Sequence, residues 1–380
     1  MKILLITESL DIGGIETNLK RLSKELVDRD HEVTIAARPG VLNNQISSLG
    51  VQIVDLKMSI KSPNAVIKDI LKIRNCLSEA DIVHVFSAKG GLLIWLTVCL
   101  FYKKTNPKIV ASLMGLQTNT ENEISIKTNL RAKLTLLGAD TIIVTSPAIG
   151  SVINRLKNNR QKLFNASVVG VEVYQASSKE ESTELKKSLG IKSQENLIVT
   201  IGRLSKSKSH HLFINAVDKV LEHHPESQFL IVGDGPLRNE LQDLINKKKL
   251  TKNIQLVGER YDIKEILSAT DIYVRPGVIE GFVGVTVLEA QSLSKPVIGF
   301  ATEDLEVAIT DGVSGLIVPR NDSTKLAEAI CQLLGDYEFA KNIAKNGHQQ
   351  FLKLFSIQQI VDNLCSIYYE TINQQKPLRH

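Results

Sequence analysis

The sequence predicts an α/β protein made of two similar domains, each built on a parallel sheet. Short apolar runs rich in β-branched residues alternate with longer segments of helical spacing, which is typical of βαβ units. The chain of 380 residues is longer than one hydrophobic core usually supports. The polar stretch 175–195 interrupts the strand pattern, so it is predicted to hold a linker and the first helix of a second domain.

The apolar runs predict five strands in the first domain and six in the second. Between the first two strands, Ile15, Leu19, Leu22 and Leu26 recur at helical spacing and predict a helix that packs on the sheet. The predicted strands are 2–7, 32–37, 81–86, 108–112 and 141–146, followed by 197–202, 229–235, 254–258, 271–277, 296–300 and 315–319. The last amphipathic segment predicts a helix with Ile360, Leu364 and Ile367 on one face.

Composition and charge argue against several other classes of protein. The net charge of +5 is mild, and the Lys and Arg clusters of the first half are more typical of solvated helix faces than of a nucleic-acid surface. Contact with a membrane surface is kept as a minority interpretation. The apolar run 92–102 is too short to span a bilayer and predicts a buried or interfacial helix.

The cysteines and the N-terminus favour a cytoplasmic protein. Cys76, Cys99, Cys331 and Cys365 are far apart, without the close pairs of a zinc site or a disulfide scaffold, so reduced thiols are expected. The sequence MKILLITESL runs directly into a strand pattern and lacks the cleavage site of a signal peptide.

Glycine turns that follow predicted strands are candidate ligand sites, because ligands of open parallel sheets bind beyond the carboxyl ends of strands. Gly13 and Gly14 would let the backbone approach a phosphate or a sugar, with Glu16 in the first helical turn. A tight turn without a ligand explains this glycine pair equally well.

Two cations in the second half form a more informative pattern. Arg203 and Lys208 lie just after a predicted strand and just before a predicted helix. Such a pair beside a helix N-terminus suits the two negative charges of a diphosphate. Pairing with surface carboxylates is the alternative, and this segment alone does not favour one over the other.

A third candidate site is the segment EGFVGVTVLEA, which follows the predicted strand 271–277. Backbone amides near Gly281, Phe282 and Gly284 could bind sugar hydroxyls or phosphate oxygens. Glu289 is surrounded by Val287, Leu288 and Ala290, which favours a buried carboxylate that accepts hydrogen bonds from ribose hydroxyls.

Taken together, these segments resemble the retaining glycosyltransferases of family 4. Their GT-B fold has two facing Rossmann-like domains with parallel sheets and a deep inter-domain cleft. The resemblance covers nearly the whole chain through an ordered series of motifs. The series is GGIE, DIVHVFSAKGG, GADTIIVTS, VVGVEV, IGRLSKSKSHH, IVGDGP, ATDIYVRPG, EGFVGVTVLEA, KPVIGF and DGVSGLIVP.

The resemblance implies a division of roles between the domains. An acceptor-side domain at 1–174 would be completed by a returning C-terminal helix at 357–380, and a nucleotide-sugar-binding domain would span 175–356. Gly14, with Gly13 beside it, would lie against the donor phosphate or sugar. Arg203 and Lys208 would bind the donor diphosphate.

The resemblance also assigns the remaining donor contacts. Glu289 would hold the ribose, and the amides near Gly281, Phe282 and Gly284 would touch the transferred sugar. No metal and no cofactor are expected, because cations and helix N-termini would neutralise the leaving diphosphate and the nucleotide-sugar is a substrate. The chain also offers no close cluster of carboxylate or Cys/His ligands.

The catalytic candidates are His84 and Glu280, and both lie near departures from the family pattern. Relatives usually have seven residues between two glutamates, whereas Glu280 and Glu289 have eight between them, so either Glu280 or Gly281 fills the first position. Many relatives carry a histidine where this chain has Met114, and a thioether cannot act as a base. His84 is then the histidine expected near the acceptor, although a lone histidine near a strand end is more often structural.

His210 and His211 are expected to cap or flank a helix.

The predicted function is transfer of a sugar from a UDP- or GDP-sugar to a saccharide or lipid-linked saccharide, in biosynthesis of a cell-surface polysaccharide. The predicted partners are these substrates and, at the inner face of the membrane, the lipid surface. Two alternatives stay open: a non-catalytic GT-B partner subunit of another transferase, motivated by Met114, and a GT-B UDP-sugar epimerase.

Overall fold

The chain folds into two compact units, each organised around its own parallel sheet. Unit 1 comprises Met1–Gly170 and Ile357–His380, and unit 2 comprises Val171–Ser356. The structure is a computed structural model that describes residues 1–11, 13–59, 61–102, 107–113, 133–145, 147–158, 161–277 and 283–373.

The sheet of unit 1 has seven strands, and all of the recorded pairings are parallel. The strands are β1 (Lys2–Ser9), β2 (Glu32–Arg38), β3 (Gln52–Asp55), β4 (Ile82–Val85), β5 (Lys108–Leu113), β6 (Thr141–Val144) and β7 (Lys162–Asn165). Their spatial order is β3-β2-β1-β4-β5-β6-β7. The order reverses between β1 and β4, which places the topological switch point of this unit at their carboxyl ends.

Helices cover both faces of this sheet because successive strand residues point to opposite sides. The helices of unit 1 are α1 (Gly14–Val27), α2 (Asn43–Ser47), α3 (Pro63–Glu79), α4 (Ala88–Phe101), α5 (Pro147–Leu156) and α14 (Ile357–Ile372). Leu4 and Ile6 share a core with α3, α4 and α5. Ile3 and Leu5 share the opposite core with α1, α2 and α14.

The sheet of unit 2 repeats this plan with six strands. They are β8 (Asn196–Ile201), β9 (Ser227–Val232), β10 (Ile254–Gly258), β11 (Ile272–Arg275), β12 (Val297–Phe300) and β13 (Leu316–Val318). The order is β10-β9-β8-β11-β12-β13, again with parallel pairing. The switch point of unit 2 therefore lies at the carboxyl ends of β8 and β11.

The helices of unit 2 also pack on both faces of their sheet. They are α6 (Lys179–Ser188), α7 (His210–His223), α8 (Arg238–Lys247), α9 (Ile263–Ala269), α10 (Val285–Ser292), α11 (Glu303–Ala308), α12 (Ser323–Gly335) and α13 (Tyr337–Leu354). Ile198 and Ile231 contact the core formed with α7, α8 and α12. Leu197 and Leu230 face the opposite core with α9.

The fold class predicted from the sequence is confirmed, and the eleven predicted strands are present with small shifts at their ends. Leu19, Leu22 and Leu26 are buried as expected, and so are Ile360 and Leu364. Two strands were missed, β3 and β7. Both are four-residue edge strands whose residues are half-buried or exposed, so neither gives a clear apolar run.

A buried asparagine ties α1 to the last segment of unit 1 before the chain enters unit 2. The Asn18 side chain is 1% exposed; its Nδ2 donates to the Val168 carbonyl at 2.7 Å, and its Oδ1 accepts from the Gly170 amide at 3.0 Å. Both ends of the amide are thus satisfied within the core. This fixes the position of the 168–170 segment against α1.

We expect Asn18→Ala to lower the free energy of unfolding of unit 1 by about 2–4 kcal/mol, because two buried backbone groups lose their partner. Urea unfolding followed by fluorescence measures this, since the single tryptophan, Trp95, lies in unit 1. Asn363→Ala, on an exposed face of α14, is the control and should cost less than about 0.5 kcal/mol. Equal costs for the two variants would contradict the assigned role of Asn18.

Candidate functional site

The loop after β8 brings the two predicted diphosphate ligands to the switch point of unit 2. Gly202 and Arg203 follow the strand, and a 3₁₀ turn at Lys206–Lys208 leads to Ser209, whose backbone is left-handed at φ 50°. The helix α7 then begins at His210, without a side-chain cap among the described residues. Arg203 is exposed and Lys208 is half-buried. The first-turn amides of α7 and two cations are therefore neighbours along one short loop.

The shape of this loop is fixed by close packing against the loop after β9. Gly233 has φ 132°, and a Cβ added there would lie 2.1 Å from the Gly202 carbonyl oxygen. The Leu204 amide donates to the Asp234 carbonyl at 2.9 Å. Because the two backbones touch, only glycine fits at position 233 and the Arg203 segment has little freedom to move.

His210, at the start of α7, is buried behind this loop. Its side chain is 2% exposed, and burial lowers its pKa to about 4, so the ring is neutral near pH 7. The ring lies against the backbone of Gly202 and Arg203 without completing a well-aligned hydrogen bond. His211 is exposed. Both residues lie inside α7 as its first two residues, with Ser209 as the N-cap, so the expectation that they cap or flank the helix is wrong. The positive charge of this loop comes from Arg203, Lys206 and Lys208.

Glu289 lies on α10, and its carboxylate is nearly buried at 7% exposure. The Tyr174 hydroxyl donates a hydrogen bond to Glu289 Oε1 at 3.2 Å. Gly284 precedes the helix as its N-cap, and no described side chain caps the first turn. The burial expected for Glu289 is confirmed. Its contact with ribose stays a prediction, and the contact from Tyr174 was not foreseen because no sequence pattern links the two residues.

A second unforeseen feature is a buried ion pair at the carboxyl end of β11. The Arg275 guanidinium bonds the Asp304 carboxylate and donates to Thr302 Oγ1 at 2.8 Å, and both charged side chains are less than a tenth exposed. A charged residue inside the apolar run DIYVRPG was the available signal. Because Asp304 balances its charge, Arg275 anchors α11 to β11 at the switch point.

Several predicted residues lie outside the part of the chain that the structure describes. They are the candidate catalytic Glu280, the sugar-contacting Gly281 and Phe282, and Met114. Their roles stay predictions.

In unit 1 the predicted glycine turn begins α1 at the switch point. Gly13 is the N-cap, Gly14 is the first helical residue, and no described side chain caps the helix. Burial, together with the carboxylates of Asp11 and Glu8, raises the pKa of the Glu16 carboxyl in the first turn. The carboxylate also folds back onto this turn, where it accepts a hydrogen bond from its own amide and lies beside Gly13. A half-buried carboxyl with raised pKa is suited to hydrogen bonds with hydroxyl groups.

An ion pair stands at the other side of this switch point. The Lys89 ammonium, in the first turn of α4, bonds the Glu8 carboxylate near the end of β1. Ser87 caps α4 by accepting from the Gly90 amide at 3.2 Å. Both helix N-termini at this switch point are therefore contacted by their own residues: that of α4 by Ser87, and that of α1 by the Glu16 carboxylate.

His84 occupies a different environment from the one expected of a catalytic histidine. The side chain, in the middle of the sheet, is completely buried; Nδ1 lies 2.6 Å from the Tyr368 hydroxyl and Nε2 lies 2.6 Å from Ser112 Oγ. The Phe86 ring stacks on it at 4.1 Å between centroids. This geometry supports a structural role that joins β4, β5 and α14. The catalytic role stays a prediction without support from these contacts.

Within the described ranges, no three His, Cys, Asp or Glu side chains are grouped closely enough to hold a metal ion. The four cysteines are free thiols, as their spacing suggested.

Each sheet thus has a helix N-terminus at its switch point, and in unit 2 cations lie beside it, which is an arrangement suited to anionic ligands on Rossmann-like domains. Two family profiles match the chain: "Glycosyltransferase Family 4" over residues 12–163 and "Glycosyl transferases group 1" over residues 181–350. Together they cover most of the sequence. The chain belongs to this glycosyltransferase family, whose members have the GT-B fold and use nucleotide-sugar donors.

Individual proteins resemble the chain at low identity. The N-acetyl-alpha-D-glucosaminyl L-malate synthase of Bacillus anthracis is 24% identical over 96% of both chains. The UDP-Gal:alpha-D-GlcNAc-diphosphoundecaprenol alpha-1,3-galactosyltransferase of Escherichia coli is 30% identical over 49% of this chain and 48% of its own. The crystal structure of Anabaena Alr3699/HepE in complex with UDP and glucose has a TM-score of 0.80 at 19% identity. It covers 97% of this chain and 99% of the Anabaena chain.

We expect the buried His84 to make unit 1 less stable at low pH. Burial lowers its folded pKa to about 3, whereas the unfolded chain titrates at about 6.5, so the unfolded state binds a proton first as the pH falls. His84→Gln removes this titration. The gap in unfolding free energy between wild type and variant should narrow by about 2 kcal/mol from pH ~7.5 to pH ~5.

Urea titrations followed by Trp95 fluorescence at both pH values provide the measurement. His211→Gln, at an exposed position in unit 2, is the control and should leave the pH dependence of unit 1 unchanged. If the difference in free energy of unfolding between wild type and His84→Gln were independent of pH, His84 would have to titrate normally in the folded state.

Proposed function

We propose that this protein is a retaining, metal-independent glycosyltransferase that moves a sugar from a UDP-sugar to a saccharide or lipid-linked saccharide. The observation that carries the proposal is the grouping at the carboxyl edge of one sheet. Arg203, Lys208 and the open end of α7 follow β8, and the buried carboxylate of Glu289 follows the neighbouring β11. These are the groups required by a nucleoside diphosphate: cations and amides for phosphate, and a carboxylate for ribose.

Donor binding follows from the charges of these groups. Arg203 would contact phosphate oxygens as a fork, while the Lys208 ammonium supplies a compact charge and the α7 amides supply hydrogen bonds. Glu289 would accept hydrogen bonds from the ribose hydroxyls. Uridine is preferred to guanosine as the base, since the Anabaena structure contains UDP and the name of the Escherichia coli relative specifies UDP-Gal.

The transfer step would be a front-face substitution. The acceptor hydroxyl oxygen forms a bond to the anomeric carbon as the bond from that carbon to the β-phosphate oxygen breaks. UDP leaves with the bonding electrons and takes the acceptor proton, so no protein base is required. The helix amides and the two cations stabilise the negative charge that develops on the leaving diphosphate, which is why a metal is not needed in this proposal.

The proposed acceptor and setting rest on the relatives. The Escherichia coli relative is named for a diphosphoundecaprenol-linked sugar acceptor, which supports a lipid-linked saccharide and cell-surface polysaccharide biosynthesis. Peripheral contact with the inner face of the membrane belongs to the same proposal. In the described part of the chain, no helix is long and apolar enough to cross a bilayer.

Incubation of the full chain with a panel of UDP- and GDP-sugars tests the proposal by nucleotide release and by binding. We expect tighter binding of UDP-sugars, and slow nucleotide release where water can serve as acceptor. A wild-type chain that binds no nucleotide-sugar would overturn the donor assignment. Binding without turnover, combined with a stable complex with another transferase, would favour the non-catalytic subunit.

We expect Lys208→Ala to weaken UDP binding by about 10- to 100-fold, because a charge-assisted contact to phosphate is removed. Isothermal titration calorimetry measures the affinity. Lys206→Ala is the matched control, since Lys206 belongs to the same 3₁₀ turn and is exposed; its affinity should stay within about twofold of wild type. Equal losses in the two variants would mean that only the net charge of the loop matters.

We expect Tyr174→Phe to reduce the preference for ribose hydroxyls by about three- to tenfold, because the Glu289 carboxylate loses the hydrogen bond that orients it. The readout is the ratio of affinities for UDP and 2′,3′-dideoxy-UDP, which a general loss of stability would not change. Tyr337→Phe, at an exposed tyrosine of unit 2, is the control. An unchanged ratio in Tyr174→Phe, alongside a strong preference in wild type, would exclude this positioning role.

A further inference from the structure

Helix α3 carries apolar side chains on its outward face that core packing does not explain. Its inward residues Ile70, Ile73 and Leu77 are buried against the sheet. Ile67 and Leu71, one turn apart, are 55% and 47% exposed. Side chains four residues apart lie on the same face of a helix. The outward face of α3 therefore presents two neighbouring large apolar groups to solvent.

The carboxyl end of α4 extends this apolar surface. Leu100 is 60% exposed and Phe101 is 40% exposed. The Arg74 guanidinium, on α3, lies 4.7 Å from the centroid of the Phe101 ring, and the Tyr102 hydroxyl donates to the Arg74 carbonyl at 3.0 Å. These contacts hold the end of α4 beside the second half of α3. We call the combined region the α3–α4 surface; it consists of Ile67, Lys68, Leu71, Arg74, Leu100 and Phe101.

The charge of the α3–α4 surface has one sign. Lys68 and Arg74 are exposed within it, and Lys61 and Lys72 are exposed beside it. Asp69 points inward, where its two carboxylate oxygens accept from the Lys57 and Met58 amides at 2.9 Å. Among the described residues of the two helices, the exposed acidic side chain is Glu79 at the last position of α3.

Exposed apolar side chains ringed by cations complement an anionic lipid surface: the apolar groups enter the headgroup region and the cations meet lipid phosphates. We propose that the α3–α4 surface docks unit 1 onto an anionic bilayer. This refines the interpretation of the apolar run 92–102. Leu93, Ile94 and Val98 are buried in the core, so the membrane contact is made by α3 and by the last turn of α4 instead.

This inference deepens the membrane contact of the proposed function and rests on it for its biological setting, but the surface itself contains none of the proposed donor residues. The test is flotation of the full chain with vesicles of equal parts phosphatidylcholine and phosphatidylglycerol, compared with vesicles of phosphatidylcholine alone. We expect binding to the anionic vesicles at about 0.05 M salt and a strong loss at about 0.5 M salt, where charges are screened.

Two variants separate the apolar and the electrostatic contributions. Ile67→Ser with Leu71→Ser should lower the partition coefficient by about tenfold, through lost apolar burial. Lys61→Gln with Lys68→Gln should lower it by about 25-fold on anionic vesicles, at roughly fivefold for each charge near the surface. Tyr337→Ser with Leu352→Ser changes two exposed apolar residues of unit 2 and should leave partitioning unchanged.

The outcomes distinguish this inference from the donor proposal, because UDP affinity is measured on each protein. Losses in the α3–α4 variants at unchanged UDP affinity would support the docking surface. Wild type that binds UDP but not anionic vesicles, or α3–α4 variants that bind like the unit 2 control, would overturn it. Vesicle binding by a chain that binds no nucleotide would leave the surface in place and remove the proposed transferase activity.

Discussion

Parallel pairing between strands that are distant along the chain is the constraint from which the rest of the structure follows. β1 pairs with β4 and β8 pairs with β11, so the strand order of each sheet reverses at its centre. Loops that leave neighbouring strands at such a point turn to opposite faces, which opens a crevice at the carboxyl edge. The amino ends of α1, α7 and α10 and the buried Glu289 all lie at these edges, although they are far apart in sequence.

Within unit 2, the charges buried near the switch point are neutralised, whereas Arg203, in the loop after β8, is an exposed cation. Arg275 is balanced by Asp304 in the interior, and burial keeps His210 neutral. Arg203 remains exposed, on a backbone held by Gly233. An anionic ligand at this loop would meet a backbone that is already held in place, and preorganisation of this kind favours both binding and charge stabilisation. In unit 1, by contrast, both ring nitrogens of His84 already have hydrogen-bond partners, the hydroxyl groups of Tyr368 and Ser112.

The central strands, the helix faces and the position of the Arg203–Lys208 loop after β8 could be predicted from the sequence. Buried strands form continuous apolar runs, and a glycine turn followed by cations is a local pattern. The edge strands β3 and β7 were missed because each has four residues, all of them half-buried or exposed, and so gives no clear apolar run. The Tyr174–Glu289 and Arg275–Asp304 contacts were missed for a different reason: each joins residues whose proximity depends on tertiary packing. The same holds for the α3–α4 surface, since periodicity marks which face of α3 is apolar but not that Ile67 and Leu71 stay exposed.

The most direct measurement of the central claim is calorimetric titration of the full chain with uridine, UMP and UDP. If the loop after β8 binds a nucleoside diphosphate, the affinity of the chain for the ligand should rise with each phosphate that the ligand carries. UDP should then bind about 100-fold or more tightly than uridine, because the cations and helix amides act on the phosphates. Equal affinity for uridine and UDP, or no binding of either, would contradict the assignment of this site to a nucleotide-sugar donor.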